Sequence, residues 1–257
     1  MSRSMAADTQ MSEPYTVEPE TVEIGWLLAP GEATFVYDAP RPVEIDPPPG
    51  LEEDAASLRA DATTQFFEVP CPFDLHIRLR PDEKGVPRLV DGAPKSSRQR
   101  QNVLRAHVTL MGQSRWRDPK RPLVQIGAPW RFVTDAQVQM TQLPAIGHYY
   151  DPPLPGLMIG GRFPIHLWPR SLMWAFDWWE PQKDVVIRRG EPWFYLRFET
   201  ERPNCRIEMV EAEMTPELTE FCKGLDGVTN YVNQTFKLFK IAQERRPSTL
   251  LKKKVRL

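Results

Sequence analysis

Apolar and polar residues alternate with a period of two along much of this chain. The clearest run is Phe73, Leu75, Ile77 and Leu79, interleaved with Asp74, His76, Arg78 and Arg80. A second is Leu104, Ala106, Val108 and Leu110, interleaved with Arg105, His107 and Thr109. Successive strand side chains point to opposite faces, so such runs predict half-buried β-strands. Shorter apolar runs predict strands at 22–28, 65–69, 123–126, 130–134, 136–143, 157–159, 163–168, 172–178, 185–187, 193–198 and 206–211. Residues 34–37, reached through Ala29-Pro30-Gly31, read as a hairpin partner for the first of these. Residues 81–101 are polar and read as a long mobile loop, and residues 115–122 as a basic turn. Many short strands at this spacing predict an antiparallel β-sandwich or jelly roll.

The period changes after Thr215. Thr215-Pro216-Glu217 places a hydroxyl cap, a proline at the first helical position and an acid in the first turn. Val228, Tyr231, Val232, Thr235, Phe236 and Phe239 then recur at steps of three and four, one apolar helix face. A C-terminal helix or helix pair packed on the sheets is therefore expected.

Residues 1–20 are predicted to be a disordered tail and 21–39 a strand pair. Residues 40–64 read as a Pro-rich and acidic linker, with a short helix at 51–63. Residues 65–213 form the β core, 214–246 the helical segment and 247–257 a basic tail. That tail, with Lys252-Lys253-Lys254-Val255-Arg256, reads as solvated, with a contact to nucleic acid or another polyanion as the alternative.

Composition narrows the picture. The 257 residues include 27 prolines, against a usual share of about 5%. Each internal proline removes a helical donor, which rules out a helical bundle for most of the chain. Net charge is -1, so no general attraction to nucleic acid or anionic membrane is expected. No apolar run approaches the roughly 18 residues of a membrane span. Residues 1–13 lack the apolar core of a secretory signal. Cys71, Cys205 and Cys222 are odd in number and far apart, unlike a disulfide framework, and a reducing cytoplasm is the simplest location.

Three passages carry a resemblance. Cys71-Pro72-Phe73-Asp74 opens the first alternating strand. Pro155-Gly156-Leu157-Met158-Ile159 precedes an aromatic-proline segment. The third is Ile187-Arg188-Arg189-Gly190-Glu191-Pro192-Trp193-Phe194-Tyr195-Leu196. Their layout resembles a family of about this size from bacterial and tailed-phage genomes, which implies an all-β core and no particular activity. The second and third passages also resemble, distantly, the β-clip nucleotidohydrolases that cleave dUTP, which implies a β-clip-like topology. In those enzymes a Gly-hydrophobic-Ile-Asp stretch supplies an acid. Here Gly156-Leu157-Met158-Ile159 is followed by Gly160-Gly161, with no carboxylate to activate water or hold magnesium.

Two local constellations could carry chemistry. Gly147-His148-Tyr149-Tyr150-Asp151-Pro152-Pro153 gathers an imidazole, two phenols and a carboxylate on one turn. With His166, His148 and Asp151 would make the two-histidine, one-carboxylate face that holds Fe(II), and Arg162 or Arg197 would grip a co-substrate carboxylate. The alternative is a turn in which the tyrosines pack and Asp151 caps the backbone. The second constellation is aromatic: Trp168, Trp174, Phe176, Trp178 and Trp179, followed by Trp193-Phe194-Tyr195. Trp174, Phe176 and Trp178 share one strand face. They would be core, or would line a pocket for a flat or apolar ligand or partner, with Trp179 the ring expected at the surface. His76 and His107 lie on the polar faces of their strands and would meet if those strands were neighbours.

Three functional readings follow. The leading one is a module that binds a small molecule or protein partner through its aromatic-rich surface. The others are a non-haem Fe(II) oxygenase-like enzyme and a phage-like accessory or structural protein.

Overall fold

The structure is a computed structural model that describes residues 20–29, 35–43, 65–92, 107–201, 205–226 and 232–255. It is mainly β, with four sheets and a C-terminal helix pair among the described residues. The expected 1–19 tail and 51–63 helix lie outside the described residues, as do 44–50 of the linker and 104–106 of the second alternating strand.

The first sheet is β15 (Arg206–Glu211), β1 (Thr21–Leu28) and β8 (Trp130–Val133). β1 runs parallel to β15 and antiparallel to β8. The expected hairpin with residues 34–37 is thus corrected, because both edges of β1 are taken. Phe35 and Tyr37 are instead half-buried aromatics: Phe35 stacks on Phe73 at 4.5 Å, and Tyr37 meets the core residue Trp130 edge-on at 4.8 Å.

The second sheet is β10 (Gly156–Ile159), β12 (Leu172–Trp178), β7 (Leu123–Ala128) and β6 (Val108–Leu110). The third is β11 (Gly161–Pro164), β9 (Val138–Leu143), β14 (Pro192–Thr200), β3 (Phe66–Pro70) and β2 (Arg41–Pro42). β2 is cut from the expected linker, where an edge position tolerates Pro42. The strand expected at 163–168 ends at Pro164, whose carbonyl accepts from the N–H groups of Leu167 and Trp168 and starts a turn.

The fourth sheet is β13 (Val185–Ile187), β4 (Leu75–Pro81) and β5 (Pro87–Asp91). Burial along β4 alternates as its sequence dictates, with Leu75, Ile77 and Leu79 inside. β5 corrects the expected 81–101 loop. The Asp82 carboxylate accepts from the N–H groups of Lys84 and Val86, and Gly85 supplies φ 77°, so the chain reverses into a hairpin. The Val86 bond holds the Asp82 carboxyl below its ordinary range, helped by Lys84 and Arg88.

One core runs through these sheets, built on Trp130, Phe132, Trp174, Phe176, Trp193 and Phe194. A second sits under the helices α1 (Pro216–Asp226) and α2 (Val232–Arg245), with Leu218, Phe221, Leu225, Leu238 and Ala242 packed on Leu27 and Val133. Thr215 caps α1 as expected, its Oγ1 accepting from Leu218 N–H at 3.1 Å. The helix expected to begin at Val228 is described from Val232.

In the described part of the basic tail Lys252, Lys253, Lys254 and Val255 are exposed, in keeping with a solvated tail, yet the segment is tied to the body of the fold. Leu250 is buried, and Lys252, Lys253 and Lys254 pair with Glu213, Glu23 and Glu211. Backbone bonds join Lys254 N–H to Glu211 and Glu213 N–H to Lys252. These three ammonium groups thus have carboxylate partners while remaining exposed. Arg246 anchors the strap: it donates to the His166 carbonyl at 2.8 Å and to Asp135 at 3.1 Å, and Asp135 also accepts from Leu250 N–H.

Candidate functional site

The two local constellations come apart in space. His166 sits at the start of β9, its Nδ1 3.2 Å from Val138 N and 3.1 Å from Val138 O. His148 lies beyond the other end of β9, where its N–H donates to Ala145. Five strand steps from Val138 to Leu143 separate the two ends by about 16 Å. Among the described residues no three His, Cys, Asp or Glu side chains are grouped as metal ligands. The expected His148, Asp151 and His166 face for Fe(II) is therefore corrected: β9 holds its histidines apart.

His148 instead packs edge-on against Tyr150 at 4.6 Å. Tyr149 is 95% exposed and makes no core. Tyr150 turns inward and donates to the Pro192 carbonyl at 2.7 Å. Burial pushes its phenol above the ordinary range. Burial likewise pushes the neighbouring Cys71 thiol from 9.0 up to about 12, against the smaller opposing effect of a Phe73 backbone hydrogen bond. The thiol thus stays protonated in the fold, while the unfolded chain ionises above about pH 9. The folded state holds the extra proton, so the stability present below pH 9 is lost as pH rises towards 12, at about 1.4 kcal/mol per pH unit. In urea titrations the stability gap between the wild-type chain and Cys71→Ala should narrow from pH 8 to 10.5. A constant gap would contradict this burial of the neutral thiol.

His76 and His107 have separate surroundings. His76 Nε2 lies 2.7 Å from Asp184 Oδ2, which also accepts from Arg78 at 2.6 Å. Burial raises the Asp184 carboxyl, but these two hydrogen bonds outweigh it and hold it below its ordinary value. The His107 ring lies against Phe35 at 5.2 Å.

The aromatic constellation divides. Trp174 and Trp178 have 0% exposure and belong to the core, which corrects their expected place in a ligand pocket. Trp174 stacks on Phe176 at 4.9 Å, and the Trp178 indole donates to the carbonyls of Glu180 and Lys183. Trp179 is 49% exposed, with Arg121 over its ring at 5.7 Å.

A cleft of about 810 Å³ opens where the second and third sheets meet. Its wall from the second sheet is the outer face of β12 and β7: Met173, Ala175 and Gln125, with Ala175 and Gln125 paired in register. Its wall from the third sheet is Gln139, Gln142 and Arg162. Gly160 and Gly161 form the corner where the chain passes from β10 in one sheet to β11 in the other. Gln142 is buried, and its Nε2 donates to Met173 O at 3.2 Å, stitching the sheets together beside this corner.

The end of the cleft nearest α2 is aromatic. Phe163 and Phe239 meet Trp168 edge-on at 6.1 and 5.8 Å, and the Arg170 guanidinium covers Trp168 at 4.6 Å. His166 lines the same end, its carbonyl fixed by Arg246. Arg162 pairs with Glu199 at 3.0 Å. Arg197 reaches the other oxygen of Glu199 at 3.7 Å and lies over Phe66. Of the expected site residues the cleft thus gathers Arg162, His166 and Trp168. Arg170, Phe163, Phe239 and the three glutamines are additions that no local motif marked. Comparison with protein-family models, with curated proteins and with solved structures finds no match to this chain.

Proposed function

We propose that this chain is a binding module whose small-molecule ligand occupies the cleft between the second and third sheets. The observation that carries the reading is the cleft itself. Its volume of about 810 Å³ falls within the roughly 300–1,000 Å³ of small-molecule sites. It joins an aromatic end at Phe163, Trp168 and Phe239 to polar side chains from four separate segments. Such a combination supplies apolar contact area together with a few fixed hydrogen-bonding groups, as ligand sites require.

The test uses Ala175→Trp, which adds an indole to a small side chain in the wall of the cleft. The full-length chain and this variant are incubated with a defined library of soluble small molecules. Bound compounds are identified by mass spectrometry after gel filtration. The wild-type chain should retain compounds whose bound fraction falls about tenfold or more in the variant, a loss of about 1.4 kcal/mol. Equal retention by both proteins, or none by either, would remove the cleft as the binding site. Thermal melting of the variant checks that the fold is intact.

A further inference from the structure

We infer that the ligand of this cleft is a small organic oxyanion, a carboxylate or phosphate ester, carrying a flat aromatic group. The inference rests on the binding reading above and adds the ligand's charge and shape. Among the described residues that line the cleft are Arg162, Arg170 and His166, and none is Asp or Glu. Arginine keeps its charge at any ordinary pH and matches a carboxylate or phosphate with paired N–H donors. The cleft therefore offers positive charge with no carboxylate in its lining, and a ligand carrying negative charge fits it.

The donors are also held in place. Glu199 fixes Arg162 from one side at 3.0 Å, which leaves other N–H groups of its five-donor fork to face a ligand. His166 Nδ1 is engaged by the Val138 backbone, so Nε2 is the nitrogen it presents. Stacking on Trp168 at 4.6 Å and on Phe163 at 5.6 Å holds Arg170 at the aromatic end. A guanidinium plane and aromatic edges together suit a flat ring.

Trp168 supplies an independent sign that this end of the cleft is incomplete. The residue is 5% exposed, yet its indole N–H has no hydrogen-bond partner. The indoles of Trp130 and Trp193 are also unpaired, but of the three only Trp168 lines the cleft. An unpaired buried donor is destabilising, and an acceptor oxygen brought in by a ligand would relieve it.

The probes are 1-naphthyl phosphate, 1-naphthoate and the neutral 1-naphthalenemethanol, titrated calorimetrically into the full-length chain. At least one anion should bind about 10- to 100-fold more tightly than the alcohol, as expected for charge-assisted hydrogen bonds. Preference for naphthyl phosphate identifies a phosphate ester, and preference for naphthoate a carboxylate. Arg162→Gln should weaken the preferred anion about tenfold and leave the alcohol unchanged, while Arg162→Lys should restore part of the loss. Arg162 is exposed, so thermal melting of both variants should match the wild type. Three results would overturn the inference: the alcohol binding as tightly as the anions, neither anion binding, or Arg162→Gln leaving anion affinity unchanged. If the alcohol binds equally well and Ala175→Trp abolishes its binding, the cleft remains the site and only the charge assignment falls.

Discussion

Replacing Trp174 by alanine is expected to cost about 3–5 kcal/mol of folding stability, the range for deleting a fully buried aromatic side chain. Trp174 has no exposed surface, stacks on Phe176 at 4.9 Å and reaches Trp193 at 6.3 Å. Neighbours held in an aromatic core cannot collapse fully into the void, so a cavity term adds to the lost transfer energy. Domains of this kind have about 5–15 kcal/mol in total, so one substitution should remove a large fraction of it. Trp179→Ala, only five residues downstream from Trp174, should cost about 1 kcal/mol or less. It loses a half-exposed ring and one exposed cation–π contact with Arg121. Urea denaturation midpoints at unchanged slope measure both. Similar losses for the two would mean that the aromatic constellation is not divided between core and surface as described.

That division shows what the sequence could and could not convey. Period two correctly puts Trp174, Phe176 and Trp178 on one face of β12, because side-chain direction alternates wherever a strand forms. It does not say which face is turned inward. The aromatic face went to the core, and the facing positions Met173 and Ala175 border the cleft. The same parity holds in β7, where Val124 and Ile126 are buried and Gln125 looks out. The strands and the capped helix were legible because each is a local pattern. The parallel pairing of β1 with β15, about 180 residues apart, was not, since nothing within either strand names its partner. β5 was missed because three residues of its five are Pro87, Arg88 and Asp91. The Asp82 and Gly85 turn was the local signal that could have found it.

The candidate site was legible only in fragments, for a related reason. Arg162 and His166 stand out in sequence as parts of a metal site and Trp168 as part of the aromatic constellation, and it is the fold that brings the three to one cleft. Gln125, Gln139 and Phe239 reach the same cleft from distant segments and carry no mark of their own. The Fe(II) triad failed because spacing in sequence counts residues, not strand length. A six-residue β9 lies across the path between His148 and His166.

Gly160→Ala is expected to damage both stability and binding, since the corner it occupies joins the two walls of the cleft. A β-carbon added there would lie 2.3 Å from the backbone carbonyl oxygen of Gln142. The obstacle is backbone, so no rotamer change relieves it, and β11 must move away from β9. Overpacking of this kind costs about 1–3 kcal/mol. The requirement is close approach, not conformation, because Gly160 is not among the glycines with positive φ. The shift would fall on Gln142, whose side chain ties β9 to Met173, and on Arg162, two residues along β11. Ligand affinity should therefore drop with stability. Gly161→Ala should be milder, because its added carbon meets the Phe163 ring, which can turn aside. Gly127→Ala on β7 meets nothing within 4 Å and should be neutral or stabilising by a few tenths of a kcal/mol, through reduced freedom of the unfolded chain. Thermal melts of the three variants, with binding measured on the same preparations, give the ranking. A Gly160→Ala chain as stable as Gly127→Ala would show that the two sheets do not meet at this corner as closely as described.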